Sequence, residues 1–315
     1  MESEFIFDKA PFRSCHASTI AEAEPGKLLA AWFGGSGEGQ QDVRIWLSCR
    51  DATGWSLPEV VAEEKSVPCW NPVLFRSSSG KLMLFYKAGA NPMSWSGWVR
   101  FSHDGGSTWT APHLYPAGIL GPIKNKPIQL QDGTIVAGTS VECYRAWACW
   151  IEKSQDDGQS FRRIGPIIVP GQPYGIIQPT LYRCADGRIV MLCRSRQIGR
   201  ICRSESRDAG ETWTPAQPTE LPNPNSGIDL VRTGEGLLVL VYNPTTRGRS
   251  PLSIAVSKDE GQTWRKVLDL ETAPGEFSYP SIIQGQDGRL HICYTWQRLR
   301  IKHVLLDPMK LSRFA

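Results

Sequence analysis

Six short apolar runs recur along the chain, each opened by a polar residue that is mostly followed by Pro, Gly or Ala. They read His16-Ala-Ser-Thr-Ile, Asn71-Pro-Val-Leu-Phe, Lys126-Pro-Ile-Gln-Leu, Gln178-Pro-Thr-Leu-Tyr, Ser226-Gly-Ile-Asp-Leu and Tyr279-Pro-Ser-Ile-Ile, at intervals of 55, 55, 52, 48 and 53 residues. A turn pair closes each: Pro25-Gly26, Ser79-Gly80, Asp132-Gly133, Asp186-Gly187, Glu235-Gly236 and Asp287-Gly288. A second apolar run follows every turn, over 28–33, 82–86, 135–137, 189–193, 237–242 and 290–294. Short apolar runs bounded by such turns read as strands joined in hairpins.

A second repeat runs in phase with the first. Ser102-His103-Asp104-Gly105-Gly106-Ser107-Thr108-Trp109 fits the pattern S-x-D-x-G-x-T-W, and it recurs from Ser154 to Phe161, from Ser206 to Trp213 and from Ser257 to Trp264. A decayed copy at Ser48 to Trp55 keeps only the first and last positions. Asp and Ser side chains bond nearby backbone groups and Gly supplies a left-handed conformation, so the pattern folds a tight turn. These boxes are read as scaffold.

One unit is therefore four short strands, and six units account for nearly all of the 315 residues. Length alone suggests about two domains; the repeat instead predicts one all-β domain over residues 1–315, a six-bladed β-propeller of four-stranded antiparallel blades. The last unit holds three runs at most, so the N-terminal segment 4–7 is expected to supply its outer strand and close the ring. A β-sandwich of similar composition lacks this paired, phased repetition.

Composition narrows the function classes. Lys and Arg exceed Asp and Glu by 35 − 31 = 4, with no basic block, so no nucleic-acid partner is expected. No apolar run approaches the ~18 residues of a membrane helix, and the acidic start lacks an apolar leader, so a cytoplasmic protein with no membrane partner is expected. The nine cysteines are irregularly spaced without a CxxC pair. They read as free, mostly buried thiols, and no metal site or cofactor is expected.

In a propeller the first strand of each blade lines a central channel, and its start shares one face with the end of the second strand. The opening residues His16, Asn71, Lys126 beside Asn125, Gln178, Ser226 beside Asn225, and Tyr279 should ring one cavity. Loops after the second strands add Glu38 and Asp42, Lys87, Glu142, Arg194 and Arg196, Asn243 with Arg247 and Arg249, and Trp296 with Arg298. A cationic ring around one tyrosine suits an anionic, hydroxyl-rich ligand. The plainer reading is that individual Asn and Gln side chains only satisfy buried strand ends.

With these repeats the chain resembles the sialidase (neuraminidase) superfamily, whose BNR or Asp-box repeats lie on a six-bladed propeller. The resemblance covers nearly the whole length, and within the superfamily the chain looks most like the bacterial and plant sialidase-like group. It is carried by SCHASTI (14–20), AAWFGGSGEG (30–39), NPVLF (71–75), GPIKNKPI (121–128), NPNSG (223–227), YNPTTRGRSPL (242–252) and IKHVLLDP (301–308). Sialidases grip the substrate carboxylate with three arginines, attack with a tyrosine that a glutamate activates, and use an aspartate as acid/base. By resemblance the third arginine falls on Arg249 and the second on Arg200, with Arg194 and Arg196 as competitors. The nucleophile falls on Tyr279.

The other positions depart from the pattern. The first arginine falls on His16, for which Arg13 is the nearby substitute. The activating glutamate falls on Gln178, and the acid has only Glu38 or Asp42 to offer. A neutral amide cannot take a phenol proton as a carboxylate does. The resemblance implies a glycosidase acting at an acidic sugar by a tyrosine variant of the retaining scheme. The departures fit a second scheme, β-elimination from a uronate, in which Arg249, Arg200 and Gln178 neutralise the carboxylate and His16 and Tyr279 handle protons. A third class is a non-catalytic glycan-binding propeller with Trp32, Trp95, Trp98 or Trp296 stacking on sugars.

Overall fold

The computed structural model describes residues 1–313. Six antiparallel sheets follow one another along the chain, and each is a blade. Their inner strands are Ser14–Glu24, Cys69–Arg76, Ile128–Gln129, Ile176–Arg183, Asp229–Arg232 and Phe277–Gln284. Blades two to six have four strands, and in blade one the outer position is shared by Gly54–Trp55 and Glu59–Ala62. Apart from one short 3-10 turn, the helical content is a single segment, Pro308–Ser312. No helix among the described residues is long and apolar enough to cross a membrane. The core lies between blades, in clusters such as Val239, Ile254, Phe277, Ile282 and Tyr294, where the inward faces of neighbouring sheets interlock.

The boxes fold as their residues dictate. In the second blade's box the Ser102 hydroxyl donates to Asp104 (2.8 Å) and accepts the Gly106 N–H (2.9 Å), while Asp104 accepts the Thr108 N–H (2.9 Å). The same three bonds recur at Ser154, Ser206 and Ser257. These hydrogen bonds from Thr108 and Ser102 hold the Asp104 carboxyl down at about 2. At the decayed copy Trp55 instead donates its indole N–H to Glu4 (3.1 Å). All nine cysteines are free; seven are buried, Cys49 is half-buried and Cys143 is exposed.

Blade six is closed by Glu2–Phe5, which pairs antiparallel with Arg300–Leu306. The closing strand begins two residues earlier than the expected 4–7. Ile6 and Phe7 owe their apolar character to burial under blade one, where Phe7 stacks on Trp32 (5.0 Å). Glu4 pins the closure by accepting from Arg50 (2.8 Å) and meeting His303 (3.1 Å), which in turn meets His291 (3.1 Å).

Burial holds His303 down at about 4 and also lowers His291. Both are neutral in the folded ring, while in the unfolded chain each takes a proton below about 6.5. The unfolded state then binds more protons, so stability falls as pH falls below that value. For His303 the expected loss is up to about 2 kcal/mol by about pH 5, and His291 adds to it in the same direction. Denaturant midpoints compared at neutral pH and about pH 5 measure it; identical midpoints would refute it.

Candidate active site

The inner strands share a device that the alternation of apolar and polar residues does not reveal. In blades one, two, four and six the pairing slips by one residue, between His16 and Thr19, Trp70 and Val73, Ile177 and Thr180, and Ser278 and Ser281. At each slip one residue adopts a left-handed backbone: Ala17 (φ 59°), Asn71 (37°), Gln178 (55°) and Tyr279 (54°). These are β-bulges, which re-aim a side chain. The proline that follows three of them has no N–H to lose where the ladder breaks. The bulge also corrects the register in blade one. Ala17 holds the place of Asn71, Gln178 and Tyr279, and His16 lies one residue earlier, because Ser18 stands where the other blades have proline.

Tyr279, 8% exposed, is the centre of the site. Its phenol oxygen accepts from Arg194 (2.5 Å) and from the Gln178 amide (3.2 Å). Arg194 also donates to Gln178 Oε1 (3.0 Å) and, with two nitrogens, to Asn225 (2.9 and 2.7 Å). The guanidinium is thus fixed on every side by neutral oxygens. Arg249 lies 5.5 Å from the Tyr279 ring and donates to Glu276 (2.7 Å). Arg298 donates to the same Glu276 oxygen (2.6 Å) and to Glu38 (2.5 Å). Burial pushes the Glu276 carboxyl up, but Arg249 and Arg298 overcome that and hold it below its ordinary range. No carboxylate among the described residues is hydrogen-bonded to the Tyr279 oxygen.

His16 lies against Tyr279 with ring centroids 4.1 Å apart, and its Nδ1 meets the Thr295 hydroxyl (3.0 Å). Burial, and then the charges of Arg298, Arg249, Arg194 and Lys124, hold it well below the ordinary histidine range. The imidazole is neutral. Lys124 sits beneath the tyrosine, 5.9 Å from its ring, bonded to Asn125 (2.9 Å) and to the Ile228 (3.1 Å) and Pro280 carbonyls. Burial brings its ammonium down to about 7. Asn125 joins this layer to the bulge by donating to the Gln178 carbonyl (3.1 Å).

The sequence candidates therefore separate. His16, Gln178, Tyr279, Arg249, Asn125 and Asn225 gather at the centre, and Glu38 reaches it through Arg298. Asn71 is buried at the bulge of blade two. Arg200 lies elsewhere: it is exposed on the third strand of its blade and donates outward to the Glu220 carbonyl. Arg194 occupies the place proposed for it.

Arg13 lies before the inner strand, which begins at Ser14, and points away from the centre. It lines a separate cleft with Phe12, Arg44 and Asp42. Asp42 caps its own loop by accepting the Ser36 N–H (2.9 Å) and hydroxyl (2.8 Å). Lys126 is paired with the fully buried Asp229 (2.9 Å) on the inner strand of blade five and serves the channel wall. Arg196 lies outward, between Trp147 and Tyr174. Trp32, Trp98 and Trp296 are packing residues against Phe7, Tyr86 and Phe5, and Trp95 leans on Trp70.

Sequence reasoning passed over Glu276 and Lys124 and named Arg298 only as a loop residue. None of the three sits at a repeated position. The one local signal is Gln297-Arg298, where two left-handed residues (φ 56° and 60°) form the turn that presents the guanidinium.

Chemically, three guanidiniums clustered near a tyrosine, two of them half-buried, suit a carboxylate bound beside an electrophilic carbon. No group of three or more His, Cys, Asp or Glu among the described residues is arranged to hold a metal.

Residues 26–292 match the BNR repeat-like domain family. A sialidase of Bacteroides fragilis (strain YCH46) is 25% identical over an alignment of 183 residues that covers 52% of this chain and 32% of that protein. The chain thus spans about a third of that curated relative. Among solved structures, a protein of unknown function from Dyadobacter fermentans DSM 18053 superposes with a TM-score of 0.81 at 16% identity, covering 97% of this chain and 98% of that one. The Hadza microbial sialidase Hz136 superposes with a TM-score of 0.79 at 18% identity, covering 94% of this chain and 66% of that one. At such identities the superpositions speak for the fold.

Proposed function

The chain belongs to the BNR repeat-like family as a sialidase-like protein, and from that membership and its central cluster we propose a glycosidase acting at an acidic sugar. The observation that carries this reading is the convergence of Arg194, Arg249 and Arg298 around Tyr279. The sugar carboxylate pairs with the guanidiniums, whose orientation is set beforehand by Asn225, Glu276 and Glu38. That contact places the anomeric carbon over the Tyr279 oxygen, which Arg194 and Gln178 hold in line. Of the two carboxyls that the resemblance offers as the acid, Glu38 is the one joined to the clamp, through Arg298, and takes that role in this reading. Gln178 stands where a carboxylate would be, and the residue assigned in this reading to take the phenol proton is His16, neutral and packed against the Tyr279 ring.

Release of a fluorogenic leaving group from a sialoside tests the reading, and turnover is the expected result. The curated relative and Hz136 carry sialidase names, which lends nothing to the elimination scheme. Silence on every sialoside, together with a new ultraviolet absorbance on uronate glycans, would replace hydrolysis by elimination. Binding of acidic glycans without any turnover would replace both by a lectin-like role.

A further inference from the structure

Arg194 and Arg196 leave blade four two residues apart. The Arg196 N–H still donates to the Gly175 carbonyl (3.1 Å), so the extended pairing continues past the strand end. Two residues of extended chain return to the same face about 6.6 Å further on, roughly one sugar ring outward from the clamp. There the Arg196 guanidinium lies between Tyr174 (4.6 Å) and Trp147 (5.0 Å). It makes no hydrogen bond or ion pair with the described residues, so its N–H edge is open to a ligand while aromatic rings fix its plane.

Trp147 belongs at the same time to the wall of a groove of about 720 Å³ that runs outward over blade three. Val141, Trp150, Ile168, Val169 and Pro173 are among its other lining residues. Its one charged lining residue is Arg163, which lies flat on Trp150 (4.3 Å) and is already bonded to the Gly118 carbonyl (2.7 Å). A hydroxyl-rich chain laid in this groove would lose water and find few partners. An apolar group would gain by leaving water.

We infer that this groove receives the leaving-group side of the substrate, an apolar aglycone, and that Arg196 holds the glycosidic junction between groove and clamp. The inference rests on the glycosidase reading for its substrate, but the groove is testable without turnover. Octyl β-D-glucoside below its micelle concentration and methyl β-D-glucoside, both lacking an acidic sugar, are compared by saturation-transfer NMR. The octyl compound is expected to bind and the methyl compound not to. Ile168→Asp, at a position 47% exposed and outside the clamp, is expected to weaken octyl binding about tenfold or more. Trp147→Ala should do the same, and the surface variant keeps the test valid if the tryptophan variant fails to fold.

With an acidic glycoside that turns over, Ile168→Asp should raise KM for an alkyl or aryl leaving group, leave kcat unchanged, and not affect a sugar leaving group. Equal binding of the two glucosides, or octyl binding and KM indifferent to Ile168→Asp, overturns the inference. Absence of turnover on all acidic glycosides, with octyl binding still dependent on Ile168, overturns the glycosidase reading and the aglycone assignment while leaving an apolar ligand site in place.

Discussion

Tyr279→Phe should lower turnover of an acidic-sugar glycoside by about three orders of magnitude or more and leave the fold in place. The substitution removes only the phenol oxygen. Its ring contacts with His16 and with the flanking cations persist, and the left-handed bulge does not depend on the hydroxyl. The structural cost is an unpaired Gln178 amide hydrogen and an unpaired Arg194 N–H, together about 2–3 kcal/mol, which a denaturation curve separates from the kinetic loss. A variant with wild-type kcat would remove Tyr279 from the chemistry. A variant inactive only because it is unfolded would show it in the same denaturation curve.

The second large effect is expected at Arg194, where structure and catalysis coincide. Arg194→Ala strips donors from Tyr279, Gln178 and Asn225 in a site where Arg194 is 6% exposed. Stability should fall by about 2–4 kcal/mol, and kcat/KM on an acidic glycoside by about a hundredfold or more. Arg194→Lys keeps the charge but not the planar fork, so it cannot serve Asn225 and Tyr279 together; it should recover part of the stability and little of the rate. Arg200→Ala is the control: exposed and turned outward, it should change stability by no more than about 0.5 kcal/mol and leave activity intact. Reversal of the two results would reinstate Arg200 in the clamp.

The contrast between these arginines shows what could be read from the chain beforehand. Blade number, hairpin order and ring closure follow from the box spacing, because each box is a local hydrogen-bond cycle that owes little to distant residues. Tyr279 and Gln178 are visible for the same reason: each precedes a proline at a repeated place. Arg194, Arg196 and Arg200 lie within seven residues, and only the fold decides which of them faces inward. A one-residue bulge changes the parity of everything before it, so His16 and Arg13 could not be assigned to faces by counting. Arg298 and Glu276 come from connections, where no repeat constrains the sequence, and they meet Arg249 only after blades five and six are docked. Lys124 lies under the tyrosine because the chain before the two-residue inner strand of blade three, Ile128–Gln129, stays on its own blade, Ile123 donating to the Gly138 carbonyl (3.2 Å), and the long side chain reaches the Ile228 and Pro280 carbonyls.

The closing strand has a kinetic consequence. Glu2–Phe5 finds its partner in Arg300–Leu306, a separation of nearly the whole described chain, so this is the pairing of highest contact order in the protein. During synthesis the first segment leaves the ribosome early and waits with an unpaired backbone edge until the final blade appears. Blades one to five can assemble from neighbouring hairpins in the meantime. The interval between them and ring closure is the stage at which a nascent chain is most open to strand exchange with a second copy. Glu2 and Glu4 give that waiting edge negative charges, and Glu4 finds Arg50 and His303 only in the closed ring, so an arbitrary partner strand would leave them unmatched.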